Sequence, residues 1–465
     1  MSAPIIWIGI PFVLSIFLFF LREQRLLTLI IGGGISAFMA LLALTFKIES
    51  VFPIGPLSLE ISSTLTILGR NFIISDNERF IVALLFSMCT FWIIGSRISG
   101  ANSFFVPNVL AIISLFIAAL SVQPFLYAAL IIEIAVLISI PIFFQRGQPV
   151  KQGILRFLVF QTLAVPFILF SGWGFEAAPT SVDSQAAYFQ AGILLIIGLG
   201  LWLAIFPFHT WVPLLAKDGH PYAAGFIFSM FPTTILLFFM EFFNTYNWLR
   251  EQSLLITISQ VLGIVMILLG GLFAAFQREL TRLIGYAVMV ETGFSLLALS
   301  LSQTIGWHSY ILILIPRLIG IAICTLALSI WKNKDMNLDM DSFQGEFYIS
   351  TFSIVGFLVG WFSLSGLPLL PGFPTKLPIL IGLSETSFTP IIFVSIGLFG
   401  LFMAGFRFLA IIFQKTDETI KIDSEPLIQK IFFSFGIILL FLIGIFPSLF
   451  LNPFLEILTA FSNLK

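Results

Sequence analysis

Gly200-Leu-Trp-Leu-Ala-Ile-Phe-Pro-Phe-His-Thr-Trp-Val-Pro213 is the stretch on which the reading of this chain turns. It lies in an apolar segment, Ala187–Leu215, that is long enough to cross a bilayer, which takes about 20 residues. Pro207 falls inside that segment. Proline has no N–H to donate and its ring collides with the preceding turn, so a membrane helix is expected to break here. A break at membrane depth frees carbonyls that only protein or a wet cavity can satisfy. His209 follows two residues later. Its imidazole titrates near neutrality, which makes it a candidate for an ion path as well as a structural partner for those carbonyls.

Composition extends this reading to the whole chain. Of 465 residues, 59% are hydrophobic and 10% charged, with a mean hydropathy of +1.09. A soluble domain is about 25% charged, so lipid is the solvent that this composition fits. The net charge of -1 gives no footprint for nucleic acid. Cys89 and Cys324 sit inside apolar segments and cannot supply the four ligands of an iron–sulfur cluster. No cofactor motif is present, neither a glycine-rich phosphate loop nor metal ligands at usable spacing, so no cofactor is expected on this chain.

Working outward from Pro207, about fourteen apolar segments reach bilayer length, which predicts an all-α polytopic membrane protein. Helices 1–3 fall in residues 1–98, with a polar stretch at 47–78 expected outside the membrane. Helices 4–8 occupy 104–243, helices 9–13 occupy 254–413, and helix 14 lies in 431–465. Basic residues mark the sides. Alternate loops carry Arg22, Arg25, Arg97, Arg146, Lys151, Arg156, Lys217, Arg278, Arg282, Lys332, Lys334, Lys415, Lys421 and Lys430, while the opposite loops and the tail carry only Lys47, Arg70, Arg79, Arg250 and Lys465. Positive charge collects on the cytoplasmic side, so both termini are expected on the other side.

A second broken segment appears at Gly366-Leu-Pro-Leu-Leu-Pro-Gly-Phe-Pro374, with its break at Pro368. It sits five predicted helices after the first. The same offset relates Glu133 in the fifth helix to Glu291 in the tenth. Matched breaks and matched acids predict two inverted five-helix repeats, broken at helices 7 and 12, with an ion path between them. A charged group at the bilayer centre costs about 2.5–3.5 kcal/mol to insert, so intramembrane ionisable residues are functional candidates by default. Lys376, just past the second break, is one, because burial lowers a lysine's affinity for its proton. Arg317 and Arg407 are also placed inside helices. They remain protonated, so they are expected to act as charge partners, with Glu291 and Arg317 able to pair.

These motifs resemble the antiporter-like, proton-translocating membrane subunits of respiratory complex I, which are similar to subunits of multisubunit cation/proton antiporters. The resemblance rests on Phe206-Pro-Phe-His-Thr-Trp-Val-Pro213, on Phe276-Gln-Arg-Glu-Leu-Thr-Arg-Leu-Ile-Gly-Tyr286 with Glu291-Thr-Gly-Phe294, and on Phe362-Ser-Leu-Ser-Gly-Leu-Pro368 with Lys376. It covers roughly Ser87 to Ile412. It implies a proton path through Glu133, His209, Glu291 and Lys376, with redox chemistry on other chains. The implied partners are other membrane-arm subunits, including further antiporter-like ones, and lipid, with quinone involved only indirectly. A bacterial inner membrane is the expected location, with a thylakoid or organelle membrane left open. Departures from the pattern are specific. Trp202 and Thr233 stand where the family carries lysines, Glu291 stands where it carries a histidine, and Arg317 lies near another histidine position. They imply a degenerate path, and they leave open a cation/proton antiporter subunit and a non-pumping structural spacer.

Overall fold

The computed structural model of the chain describes residues 2–49, 51–54, 57–144, 149–181, 183–301, 303–414 and 425–464. Arg146, Lys415, Lys421 and Lys465, which enter the orientation argument above, lie outside the described residues. The chain opens with a π-helical turn, Ile5–Gly9, that runs into α1 (Ile10–Phe20), followed by α2 (Arg25–Thr45). Two antiparallel pairs come next, β1 (Val51–Ile54) with β2 (Leu57–Glu60), and β3 (Thr64–Ile67) with β4 (Arg70–Ile73). The β3–β4 turn is made by Leu68 and Gly69, both at positive φ, as a two-residue hairpin with a right-handed twist requires. The polar stretch at 47–78 therefore folds largely as hairpins rather than as loop.

Next come α3 (Arg79–Ser99), α4 (Phe105–Ser121), the short β5 (Val122–Gln123) beside β4, α5 (Ala128–Ser139) and α6 (Gln152–Ala177). The first broken region consists of α7 (Ser184–Trp202) and α8 (Trp211–Asp218). Beyond it run α9 (Pro221–Thr245), the short α10 (Asn247–Glu251), α11 (Ser253–Phe276), α12 (Leu280–Leu299) and α13 (Gln303–Asn333). The second broken region is α14 (Thr351–Ser365) and α15 (Gly372–Thr386), before α16 (Thr389–Ile412), α17 (Leu427–Ile445) and α18 (Pro447–Leu451). Among the described residues, 11 helical stretches are long and apolar enough to cross a membrane, and three shorter apolar helices cover Ile5–Phe20, Phe105–Ser121 and Thr351–Ser365.

Burial sorts these helices into layers. The apolar windows of α9 and α13 are each 94% buried, so they form the centre, whereas those of α11 and α17 are 28% and 22% buried and lie at the rim. Rim helices leave large apolar side chains uncovered, among them Phe20, Val159, Phe170, Phe399 and Ile438. An apolar coat over an apolar core fits a lipid environment, where exposed hydrocarbon costs nothing and every backbone group must bond within a helix. The chain is an integral membrane protein.

Helices pack closely where side chains are small, because lipid supplies little hydrophobic drive and close van der Waals contact must hold them. At the crossing of α11 and α16, a Cβ on Gly271 would strike the Gly397 carbonyl, and one on Gly397 would strike the Ile267 carbonyl. Gly271→Val is therefore expected to push the two helices apart and cost about 1–3 kcal/mol, the usual range for overpacking. Thermal unfolding in mild detergent checks it, with Gly34→Ala, where an added Cβ meets nothing, as the neutral control.

Candidate functional site

Both breaks are built the same way. Helix α7 ends at Trp202, the backbone turns left-handed at Ala204 (φ 55), and the Ile205 N–H donates back to the Gly200 carbonyl at 2.9 Å. Helix α14 ends at Ser365, turns left-handed at Gly366 (φ 82), and the Leu367 N–H donates to the Phe362 carbonyl at 2.9 Å. Each is a Schellman-type cap, which returns a later N–H to an earlier carbonyl in the last turn. The helix thus stops ahead of Pro207 and Pro368 rather than at them, because the cap needs the residues before each proline. After the first break the chain makes a 3-10 turn, Phe208–Thr210, and enters α8.

At the second break, a helix end and a lysine act together. The Leu364 carbonyl lies in the last turn of α14, and the left-handed turn at Gly366 leaves it without a helical donor. The Lys376 ammonium, one turn into α15, donates to that carbonyl. The same ammonium lies 2.6 Å from Glu291 Oε1 of α12, with the two side chains only 3% and 2% exposed. It also faces the Phe294 ring at 4.9 Å, a cation–π contact. Carboxylate, carbonyl and ring face together hold one buried cation.

Arg317 repeats this device elsewhere. Pro232, inside α9, releases the Phe228 carbonyl, and Arg317 Nη2 of α13 donates to it at 3.3 Å. The expected Glu291–Arg317 pair does not form. Glu291 bonds Lys376, and Arg317 is drawn to the proline-released carbonyl. Arg317 is fully buried, and its Nε and Nη1 find no protein acceptor among the described residues. Among the described residues, Arg407 forms no ion pair with an acid. It donates to the Ala275 carbonyl at 2.6 Å and to the Gln277 carbonyl. It closes the C-terminal end of α11, where orphan carbonyls and the negative helix end attract a cation.

The first half is arranged differently. Glu133 is half-buried between α5 and α6, and its Oε1 accepts from Thr162 Oγ1 at 2.7 Å. Its neighbours Leu130, Ile134 and Leu137 are exposed, so this acid lies beside the outer wall. His209 is half-buried, with its ring stacked on Phe206 at 5.6 Å. Trp202 is buried, and its Nε1 donates to the Gln161 carbonyl while Gln161 Nε2 returns a bond to the Trp202 carbonyl, both at 3.2 Å. That pairing satisfies one carbonyl at the end of α7 with neutral groups alone. Among the described residues, no hydrogen bond or ion pair connects Glu133 or His209 with the Glu291–Lys376 couple. Of the four candidates, the structure joins two and leaves two apart.

Thr162, Gln161, Phe294 and the Leu364 carbonyl are parts of these sites that sequence reading did not single out. For the Phe228 carbonyl that Arg317 takes, a signal existed: Phe228 stands four residues before Pro232, a proline inside α9.

Where α8 meets α9, ion pairs tie the helix ends together. Lys217 lies 3.5 Å and Arg282 3.2 Å from Glu279 Oε2, Asp218 accepts from the Gly153 N–H at 2.7 Å, and Lys332 donates to the Gly219 carbonyl at 3.2 Å. His220, just before α9, is buried at 7% exposure. Burial pushes its imidazole from 6.5 down to about 4, and the Lys332 ammonium acts in the same direction. The folded state thus holds His220 neutral, whereas the unfolded chain protonates it below about 6.5. Stability from this group is complete above that value and lost as pH falls toward 4. The melting temperature is expected to drop across this window, and His220→Gln to flatten that part of the profile.

The geometry can be set beside known proteins. Residues 84–404 match the family described as NADH:quinone oxidoreductase/Mrp antiporter, TM. Curated relatives include NADH-quinone oxidoreductase subunit N 2 of Hydrogenobaculum sp., 26% identical over 59% of this chain and 60% of the relative, and subunit N of Acinetobacter baumannii, 26% identical over 64% of each. The chain thus spans less than two thirds of the length of these relatives. Solved structures with the same fold include a chain of the membrane-bound sulfane sulfur reductase, an archaeal respiratory membrane complex, with a TM-score of 0.80 at 14% identity, covering 99% of this chain and 98% of that one. A chain of the Mrp complex from Dietzia sp. gives 0.77 at 14% identity, covering 99% and 97%. A chain of respiratory complex I from Thermus thermophilus gives 0.72 at 18% identity, covering 97% and 98%. With the matched region spanning most of the chain, including both broken helices and the buried Glu291–Lys376 couple, the protein belongs to the family of NADH:quinone oxidoreductase and Mrp antiporter membrane subunits.

Proposed function

We propose that this chain is a membrane-arm subunit of a complex I-type oxidoreductase, in which electron transfer on other subunits drives proton movement through this one. Fourteen crossings in two inverted five-helix repeats would carry it, with no redox group on this chain and with neighbours of the same antiporter-like type. The observation that carries the reading is the buried Lys376–Glu291 contact at 2.6 Å, anchored on the Leu364 carbonyl at the end of α14.

Such a contact is a two-state element. With a proton on Lys376 the pair is ionised, and passing that proton along the Nζ–H···Oε1 bond neutralises both groups. In a low-dielectric interior desolvation offsets much of the Coulomb attraction that favours the ionised form. A change of charge nearby is then enough to move the balance. Arg317 is a second buried cation in this half. Its unpaired donors, with Thr234 Oγ1 on α9, are groups that buried water satisfies. A proton delivered to Glu291 frees Lys376 to pass its own proton on and receive another.

The path is degenerate in the first half. Trp202 and Gln161 fill the end of α7 with neutral bonds, and Thr233 spends its hydroxyl on the Ser229 carbonyl at 2.7 Å. The second half therefore carries the titrating couple, while Glu133, beside exposed Leu130 and Ile134, faces a neighbouring subunit. A second reading, a cation/proton antiporter subunit, is supported by the likeness to the Mrp chain. Isolation of the native assembly in mild detergent separates the two. Copurifying chains with iron–sulfur centres are expected; an assembly of antiporter chains alone favours the second reading.

A further inference from the structure

At one end of the bundle, the α1–α2 loop, the end of α3 and the start of α4 enclose a cavity of about 250 Å³ lined by Arg22, Arg25, Arg97, Thr28, Asn102 and Ser103. Its three arginines belong to two separate segments, which the fold brings to one mouth. Arg25 and Arg97 are exposed and have no acceptor or carboxylate partner among the described residues. Arg22 is held in place. Its Nη1 donates to the Phe19 carbonyl at 3.0 Å, and its guanidinium lies over the Phe19 and Phe104 rings at 4.6 and 5.0 Å. Among the described residues the carboxylate at the mouth is Glu23, 3.9 Å from Arg22 Nε, against three arginines.

Two further features add to the charge. The amides of the first turn of α2 have no intrahelical acceptor and sit at the positive end of that helix. Asn102 is fixed by donating to the carbonyls of Pro141, Ile142 and Phe144, and its Oδ1 is a shielded acceptor with no donor among the described residues. The cavity thus offers guanidinium forks and backbone N–H groups for a phosphate, and an acceptor for a hydroxyl. Beside the mouth, Phe20, Leu26 and Ile30 are exposed along α1 and α2, where they present hydrocarbon rather than water-compatible surface.

We propose that this cavity binds the phosphate headgroup of an anionic phospholipid, with its acyl chains along the exposed apolar faces of α1 and α2. Guanidinium–phosphate forks are bidentate and directional, and basic pockets between membrane helices suit anionic headgroups. The positive excess disfavours a zwitterionic headgroup, whose own cation would be repelled. The apolar surface beside the mouth selects a lipid over free phosphate.

Two measurements test this. Phospholipid copurifying with the full chain in mild detergent is quantified by mass spectrometry. Anionic lipid is expected to stay with the wild type and to fall by about ten-fold or more in Arg25→Gln/Arg97→Gln, while Lys47→Gln/Arg79→Gln keeps the wild-type amount. Equal retention in both variants overturns the site. Separately, the delipidated wild type is melted with phosphatidylglycerol, phosphatidylcholine or inorganic phosphate. A rise in melting temperature with phosphatidylglycerol alone is expected. An equal rise with phosphatidylcholine overturns the charge selection, and an equal rise with inorganic phosphate overturns the assignment to lipid.

Discussion

Replacing Glu291 with methionine is expected to cost the fold about 3–5 kcal/mol, the usual loss when one partner of a buried ion pair is removed. Two buried cations, Lys376 and Arg317, would then share no counter-charge. Replacing Lys376 with methionine should cost less, since Arg317 still faces the charge on Glu291, although the Leu364 carbonyl loses its donor. In Glu291→Met/Lys376→Met the apolar pair fills the same space, and exchanging a buried pair for apolar side chains is often nearly neutral. The double variant should therefore be more stable than Glu291→Met alone. Chemical denaturation of the three variants in detergent checks this. Losses that simply add would show that the two side chains do not depend on one another.

The second large effect belongs to Arg317. Arg317→Leu leaves the Phe228 carbonyl buried with no donor, a cost of about 1–3 kcal/mol. The cause can be isolated through the proline that creates the need. Pro232→Ala restores an N–H four residues after Phe228. In Arg317→Leu/Pro232→Ala about 1 kcal/mol of the loss should return as that helical bond forms. A loss unchanged by Pro232→Ala would mean that Arg317 serves another partner. Thermal unfolding compares the single and double variants directly.

Much of this fold is legible in the chain because membrane helices announce themselves by length and hydropathy. Helices α9 and α13 read as apolar runs and prove to be the buried centre. Pro207 and Pro368 point to the breaks, but the helices end earlier, since a Schellman cap consumes the residues before each proline. The stretch at 47–78 reads as extramembrane from its charges and prolines. Its hairpins were hidden because short strands lack the long periodicity that marks a helix.

The site was legible residue by residue and misread in its pairing. Glu291 and Lys376 stand out because ionisable groups are costly in a membrane. Which cation Glu291 would take depends on how α12, α13 and α15 are rotated, and hydropathy carries little of that. Arg317 was the obvious choice until the Phe228 carbonyl competed for it, and that carbonyl is available only because α9 carries Pro232. Arg407 shows the same limit. Its acceptors are the last carbonyls of α11, which sequence cannot place beside α16.

The central claim is that the Lys376–Glu291 couple moves protons, and proton stoichiometry in the native assembly tests it most directly. Protons translocated per electron pair are to be measured in vesicles carrying the wild-type assembly or the Glu291→Met/Lys376→Met variant, with assembly verified in both. The account predicts a lower ratio in the variant while electron transfer continues. An unchanged ratio in a fully assembled variant would contradict it and would leave this chain a spacer between active neighbours.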